Sequence, residues 1–137
     1  MAKSDKIVSG ILLGHGVLGC VWVTQMAPHY GYSPVFLVPN LALTLIGVVA
    51  GIGCLLSKRW AAYLGLVFWG IQTIQVLTPT FQFSFTLGLN AILSAGWFGL
   101  GQFGLNVFAL VLFCWLAVRI KAFGSSFGAA AREASTT

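Results

Sequence analysis

Residues 60–118 read WAAYLGLVFWGIQTIQVLTPTFQFSFTLGLNAILSAGWFGLGQFGLNVFALVLFCWLAV, 59 residues without one charged side chain. A helix crosses the hydrocarbon core of a bilayer in about 20 residues, so this stretch holds two crossings and a surplus of roughly 15–20 residues. A second uncharged stretch, residues 7–57, is 51 residues long, enough for two crossings and a short turn. The seven basic and two acidic side chains bracket these stretches: Lys3, Asp5 and Lys6; Lys58 and Arg59; Arg119 and Lys121; Arg132 and Glu133.

Composition fixes the same class. The chain is 58% hydrophobic and 7% charged, whereas a soluble domain carries about 25% charged residues. So few charges cannot cover a water-facing surface, and lipid or partner protein must cover much of it. The expected fold is therefore an all-α integral membrane protein with four transmembrane helices, at about residues 7–27, 35–57, 60–78 and 102–120. Basic residues collect on the cytoplasmic side, which puts both termini inside. A five-helix division would send Arg119 and Lys121 outside, against that rule. The location expected is a multi-pass one, in a bacterial inner membrane or an equivalent energy-transducing membrane. Residues 1–123 form the membrane domain, and the small, polar residues 124–137 form a flexible cytoplasmic tail. The net charge of +5 lies at span ends and does not form a nucleic-acid footprint. Residues 7–27 are longer than the apolar core of a signal peptide and read as a retained first helix.

The turn between the first two helices is Pro28-His29-Tyr30-Gly31-Tyr32-Ser33-Pro34, with prolines to stop helices and tyrosines suited to the headgroup level. Pro79 ends the third helix. What remains is an outer-side segment at about residues 80–101, whose core is FQFSFTLGLNAILS at 81–94. Phe81, Phe83, Phe85, Leu87 and Leu89 alternate with polar or small residues, a strand signal. Gln82, Thr86, Asn90 and Ser94 also recur every fourth residue, a helical one. Unpaired strand backbone against lipid costs several kcal/mol per group. That consideration favours an amphipathic or re-entrant helix at about 84–95, with an outward hairpin or a partner-paired extended run as the alternative. The glycine-rich run 96–104 then re-enters the membrane, with Trp97 as interfacial anchor.

Candidate functional residues are few. His15 lies about 12 Å along the first helix, near mid-bilayer. Flanked by Gly14 and Gly16, it is a candidate axial ligand for haem or a chlorophyll-type pigment. Gln25, Asn40, Thr44, Gln72, Gln75 and Asn106 form an outer-side polar set distributed over all four helices. In hydrocarbon such groups need partners and serve as interhelical glue or as the lining of a cavity. Gly10 with Gly14, Gly47 with Gly51, and Ala61 with Gly65 are small-xxx-small pairs that let helices touch, and Gly16 with Cys20 is a weaker one. Cys20, Cys54 and Cys114 are far apart and read as packing residues. Asp5 and Glu133, the two carboxylates, stand at opposite termini. Neither a nucleophile elbow, a phosphate-cradling loop nor a metal-ligand spacing occurs.

Lys58-Arg59-Trp60-Ala61 opening the third helix, with a basic residue closing the fourth, resembles small four-helix bacterial membrane proteins, a likeness of topology that implies no activity. The function expected first is a non-enzymatic accessory subunit, packed among other membrane subunits or copies of itself within the lipid bilayer. A subunit binding haem, pigment or quinone with His15 as ligand is the second expectation. A small carrier or channel for a neutral solute, using the outer amides, is the third.

Overall fold

The computed structural model describes residues 3–134 except Thr86, Gly88 and Phe98, with side chains from Asp5 to Ile120 apart from Gln82. Four helices and four strands follow in the order α1 (Lys3–Met26), α2 (Pro34–Leu55), α3 (Arg59–Thr73), β1 (Ile74–Leu77), β2 (Gln82–Phe83), β3 (Ile92–Trp97), β4 (Gly101–Asn106) and α4 (Val107–Ala134). Two of the helices, α1 and α2, are long and apolar enough to cross a membrane.

The helices pack antiparallel in chain order, and glycine sets how closely. A methyl group on Gly51 would lie 2.6 Å from the backbone nitrogen of Leu13, and one on Gly16 would lie 2.6 Å from that of Val48. Gly53 faces Ala61 and Gly47 faces Phe68 across α2 and α3, and Gly65 faces Leu116 across α3 and α4. Not every expected contact glycine is used. Gly10 and Gly14 have open space where a side chain would stand, and Gly16, in the weaker pair, makes the approach instead.

This antiparallel order gathers the charged ends. Asp5, in the first turn of α1, accepts from Arg119 Nε at 2.9 Å and from Arg119 Nη2 at 2.8 Å. The link between α2 and α3 closes at the same end. Ser57 adopts a left-handed conformation (φ 56°), and Lys58 N–H reaches back to Gly53 O at 2.8 Å, which caps the carbonyls left over at the end of α2.

The opposite end departs from the all-α expectation. The chain there forms a four-stranded antiparallel sheet in the order β2-β1-β4-β3. The third helix stops at Thr73 rather than near 78, and the fourth begins at Val107 rather than near 102. The helix expected at 84–95 is not found among the described residues of that range; those before Ile92 belong to neither helix nor strand, and Ile92 opens β3. The reason is pairing. β1 lies against β4, with Ile74 opposite Leu105 and Leu77 opposite Gln102. The two partners therefore satisfy one another's backbone, the condition that had counted against a strand. Composition agrees, since Ile74 and Val76 suit a strand and Gly101 and Gly104 weaken a helix. Gly101 (φ 131°) also packs so tightly that a methyl group would lie 2.6 Å from Leu77 O. At the far end of the chain, α4 continues to Ala134.

Replacing Gly51 by alanine would force α1 and α2 apart, because the atoms in the way are backbone. The expected cost is about 1–3 kcal/mol, read as a lower thermal midpoint in detergent. Gly10→Ala meets nothing and is expected to raise stability by about 0.5–1 kcal/mol through helix propensity. Equal losses for the two variants would refute the packing described.

Candidate functional site

The segment between β2 and β3 dips at Leu87 in among the helices, while Ser84 before it and Leu89, Asn90 and Ala91 after it stay exposed. Leu87 is fully buried, and a methyl group on Gly19 would come within 3.2 Å of its Cβ. Gly19 lies seven residues before the end of α1, so the segment reaches about 10 Å below that end. Leu87 is thus outside helix and sheet yet inside the helical packing, so its N–H needs a partner.

Two amides supply partners. Gln72, 1% exposed near the end of α3, accepts the Leu87 N–H at its Oε1 (3.1 Å) and anchors its own Nε2 on Phe68 O (3.3 Å). Asn106, 1% exposed where β4 passes into α4, accepts the N–H groups of Ala91 and Ala109 at Oδ1, both at 3.3 Å. One side chain thus caps the first turn of α4 and holds the end of the descending segment. A terminus capped by an Asn oxygen has a satisfied donor that would otherwise be orphaned.

His15 stands beneath the segment. The backbone of Leu87 and of Leu89 lies close to its ring, and the residue is only 3% exposed. Three aromatic rings enclose it: Trp69 at 4.9 Å between centroids, Phe108 stacked at 5.6 Å and Phe68 edge-on at 6.3 Å. Nε2 of His15 and Nε1 of Trp69 find no hydrogen-bond partner among the described residues. A macrocycle bound at Nε2 would have to displace this aromatic shell. The open space at Gly14 gives no approach to the ring, since neighbouring residues of a helix point about 100° apart.

The remaining residues of the polar set divide. Asn40 and Thr44 are buried but bond within their own helix, to Phe36 O at 2.7 Å and Leu41 O at 2.8 Å. Gln75 is buried over Gly104, with its Nε2 unpartnered among the described residues. Gln25 is exposed and belongs to no cluster. On the outer segment, Asn90 is exposed and Ser94 accepts from Gln102 Nε2 at 2.7 Å. Of Gln82 the backbone alone is described, and Thr86 lies outside the described residues. The sequence singled out Gln72, Asn106 and His15 but not the segment that the first two hold. The enclosing rings of Phe68, Trp69 and Phe108 were not singled out, because aromatic residues of an apolar helix carry no signal of what they surround. Among the described residues no three His, Cys, Asp or Glu side chains come together to hold a metal ion. Comparison with family models, curated proteins and solved structures gave no match.

Gln72→Leu and Asn106→Leu each remove the acceptor of a buried backbone N–H. Each is expected to cost about 1–3 kcal/mol and to speed amide hydrogen exchange across residues 84–91. Thr44→Val, which loses a bond only within α2, should leave that exchange rate unchanged. Slow exchange persisting in both leucine variants would show that the amides do not hold the segment.

Proposed function

We propose that this chain is a small non-enzymatic membrane subunit that crosses the bilayer four times, keeps its basic ends in the cytoplasm, and joins a larger assembly through the open edge of its outer sheet. The edge strand β3 carries this reading. All six of its residues are exposed, and none is charged or proline. Charged residues and proline are the usual protections of a strand that must not pair further.

The direction of its backbone groups follows from one bond. Val107 N–H donates to Ala91 O at 2.8 Å, and Leu93, Ala95 and Trp97 pair with Leu105, Phe103 and Gly101. Bonded and non-bonded pairs alternate along an antiparallel ladder, so the N–H and C=O groups of Ile92, Ser94 and Gly96 point away from the sheet. Leu93 and Trp97 add apolar surface, at 69% and 79% exposure.

The four-crossing topology is supported by lengths and by charge. The 15 residues of α3 rise about 22 Å and the four of β1 about 13 Å. Together they match the reach of the 24-residue α1, about 36 Å at 1.5 Å per residue. On this topology β3 begins near the hydrocarbon boundary, where outward backbone groups left unpaired cost several kcal/mol each. Addition of a partner strand removes that cost.

Ser94→Pro tests the reading. It deletes an N–H that the sheet does not use and blocks strand addition. In mild detergent the wild-type chain is expected to co-purify with another membrane subunit. The Ser94→Pro variant should fold, with unchanged helix content, and lose at least about tenfold of the complex, equivalent to 1.4 kcal/mol. A wild-type chain that runs alone, or a complex indifferent to the proline, would contradict it.

A further inference from the structure

On the side of the sheet away from β3, a cleft of about 600 Å³ opens between the outer ends of α1 and α2 and the descending segment. Its walls are aromatic: Trp22, Tyr30, Phe36 and Phe85. Tyr30 and Phe36 stack with ring centroids 4.3 Å apart and planes 13° from parallel, and Trp22 lies 6.0 Å from Phe36. Its polar side chains besides the Tyr30 hydroxyl are Ser33, Asn40 and Ser84, all neutral. Val35 also lines it, and Pro39 (within α2) deprives the Val35 carbonyl of the helical N–H it would otherwise accept.

A second cleft, about 230 Å³, adjoins the first. The two share Pro39 and Phe85. Its other walls include Ala42, Leu43, Ile46 and Ile71, and every side chain lining it is apolar. The two lie side by side on Pro39 and Phe85, a polar aromatic cleft at the outer end and an open apolar one lower along α2.

We propose that these two clefts together bind a neutral amphipath of the quinone class, with its flat head between the aromatic walls and its apolar tail in the lower cleft. Charge selects the head. A phosphate placed among these neutral side chains would be desolvated without a cation, which is costly. Shape and hydrogen bonding select a planar ring bearing oxygens. Aromatic walls favour stacking on a flat π-system. The hydroxyls of Ser33 and Ser84 can donate to ring carbonyls, and the Val35 carbonyl can accept from a reduced ring's hydroxyl. The tail follows from the apolar cleft that adjoins the first across Pro39 and Phe85. His15 takes no part, because it lies within its own aromatic shell. The inference is independent of the assembly proposed for β3, which is at the opposite edge of the sheet.

The probe is decylubiquinone, titrated into the purified chain in detergent while tryptophan fluorescence is followed. Saturable quenching is expected, and it should vanish in Trp22→Phe, which removes the reporter in the wall. Ala42 is exposed, so Ala42→Phe can fill the lower cleft from outside without adding a fluorescent indole; it should weaken binding about tenfold or more, 1.4 kcal/mol by that factor. Val111→Phe, on the exposed face of α4, should change nothing. Should Ala42→Phe not fold, the double variant Ser33→Ala, Ser84→Ala serves in its place, with the same loss expected. Quenching that rises linearly without saturation, or that is equal in the cleft variants, would overturn the proposal. So would displacement of the quinone by equimolar decylphosphocholine, which would make the clefts an ordinary lipid contact.

Discussion

A peptide group that leaves helix and sheet while still removed from water must be given a partner, and two side-chain carbonyls meet that demand here. Gln72 and Asn106 stand where α3 and α4 give way to β1 and β4. From there they reach the N–H groups of Leu87 and Ala91. Leaving one such donor bare costs about 1–3 kcal/mol, comparable to a sizeable fraction of a domain's net stability. The rest of the outer side depends on these bonds. They hold Leu87 against Gly19, they set where β3 begins, and they press the descending backbone onto His15. Glycine at position 19 is part of the same solution, because any side chain there would occupy the space of Thr44 and Leu87.

Charge placement made half of the architecture legible. Two uncharged stretches of 51 and 59 residues give four apolar segments, and an antiparallel order brings Asp5 to Arg119, as the ion pair records. The glycine pairs were legible only in part. Gly47 and Gly51 face neighbours, but Gly10 and Gly14 do not, and a spacing of four says which glycines share a face without saying where that face points. The amides Gln72 and Asn106 were visible as residues that could not stay unpaired. Their partners in the segment between β2 and β3 are 15 residues distant along the chain in both cases, so no local pattern names those two.

The sheet was the least legible element, for a physical reason. A strand is stabilised by a partner, and β1 finds its partner in β4, some thirty residues on. Read alone, residues 81–94 satisfy both the alternating and the four-residue template, and the cost of unpaired strand backbone in lipid tips the choice to helix. That cost is real, but it applies to strands without partners. Once Ile74–Leu77 and Gly101–Asn106 lie side by side, each supplies what the other lacks, and two helices can end early without leaving orphaned groups. The relevant quantity was the pairing of two segments that each looked like the end of a helix.

The same reasoning explains why the two edges of this sheet differ. At the β2 edge, a strand of two residues leads straight into the descending segment, whose Ser84 and Phe85 then wall the aromatic cleft. At the β3 edge nothing among the described residues returns to cover six exposed strand residues. A fold that places side-chain amides to satisfy single N–H groups in its interior, yet leaves a row of them along one uncharged strand, distributes its polar groups unevenly. The imbalance is resolved if the row is completed from outside. The interior amides then fix the strand in position, and the partner supplies the last ladder.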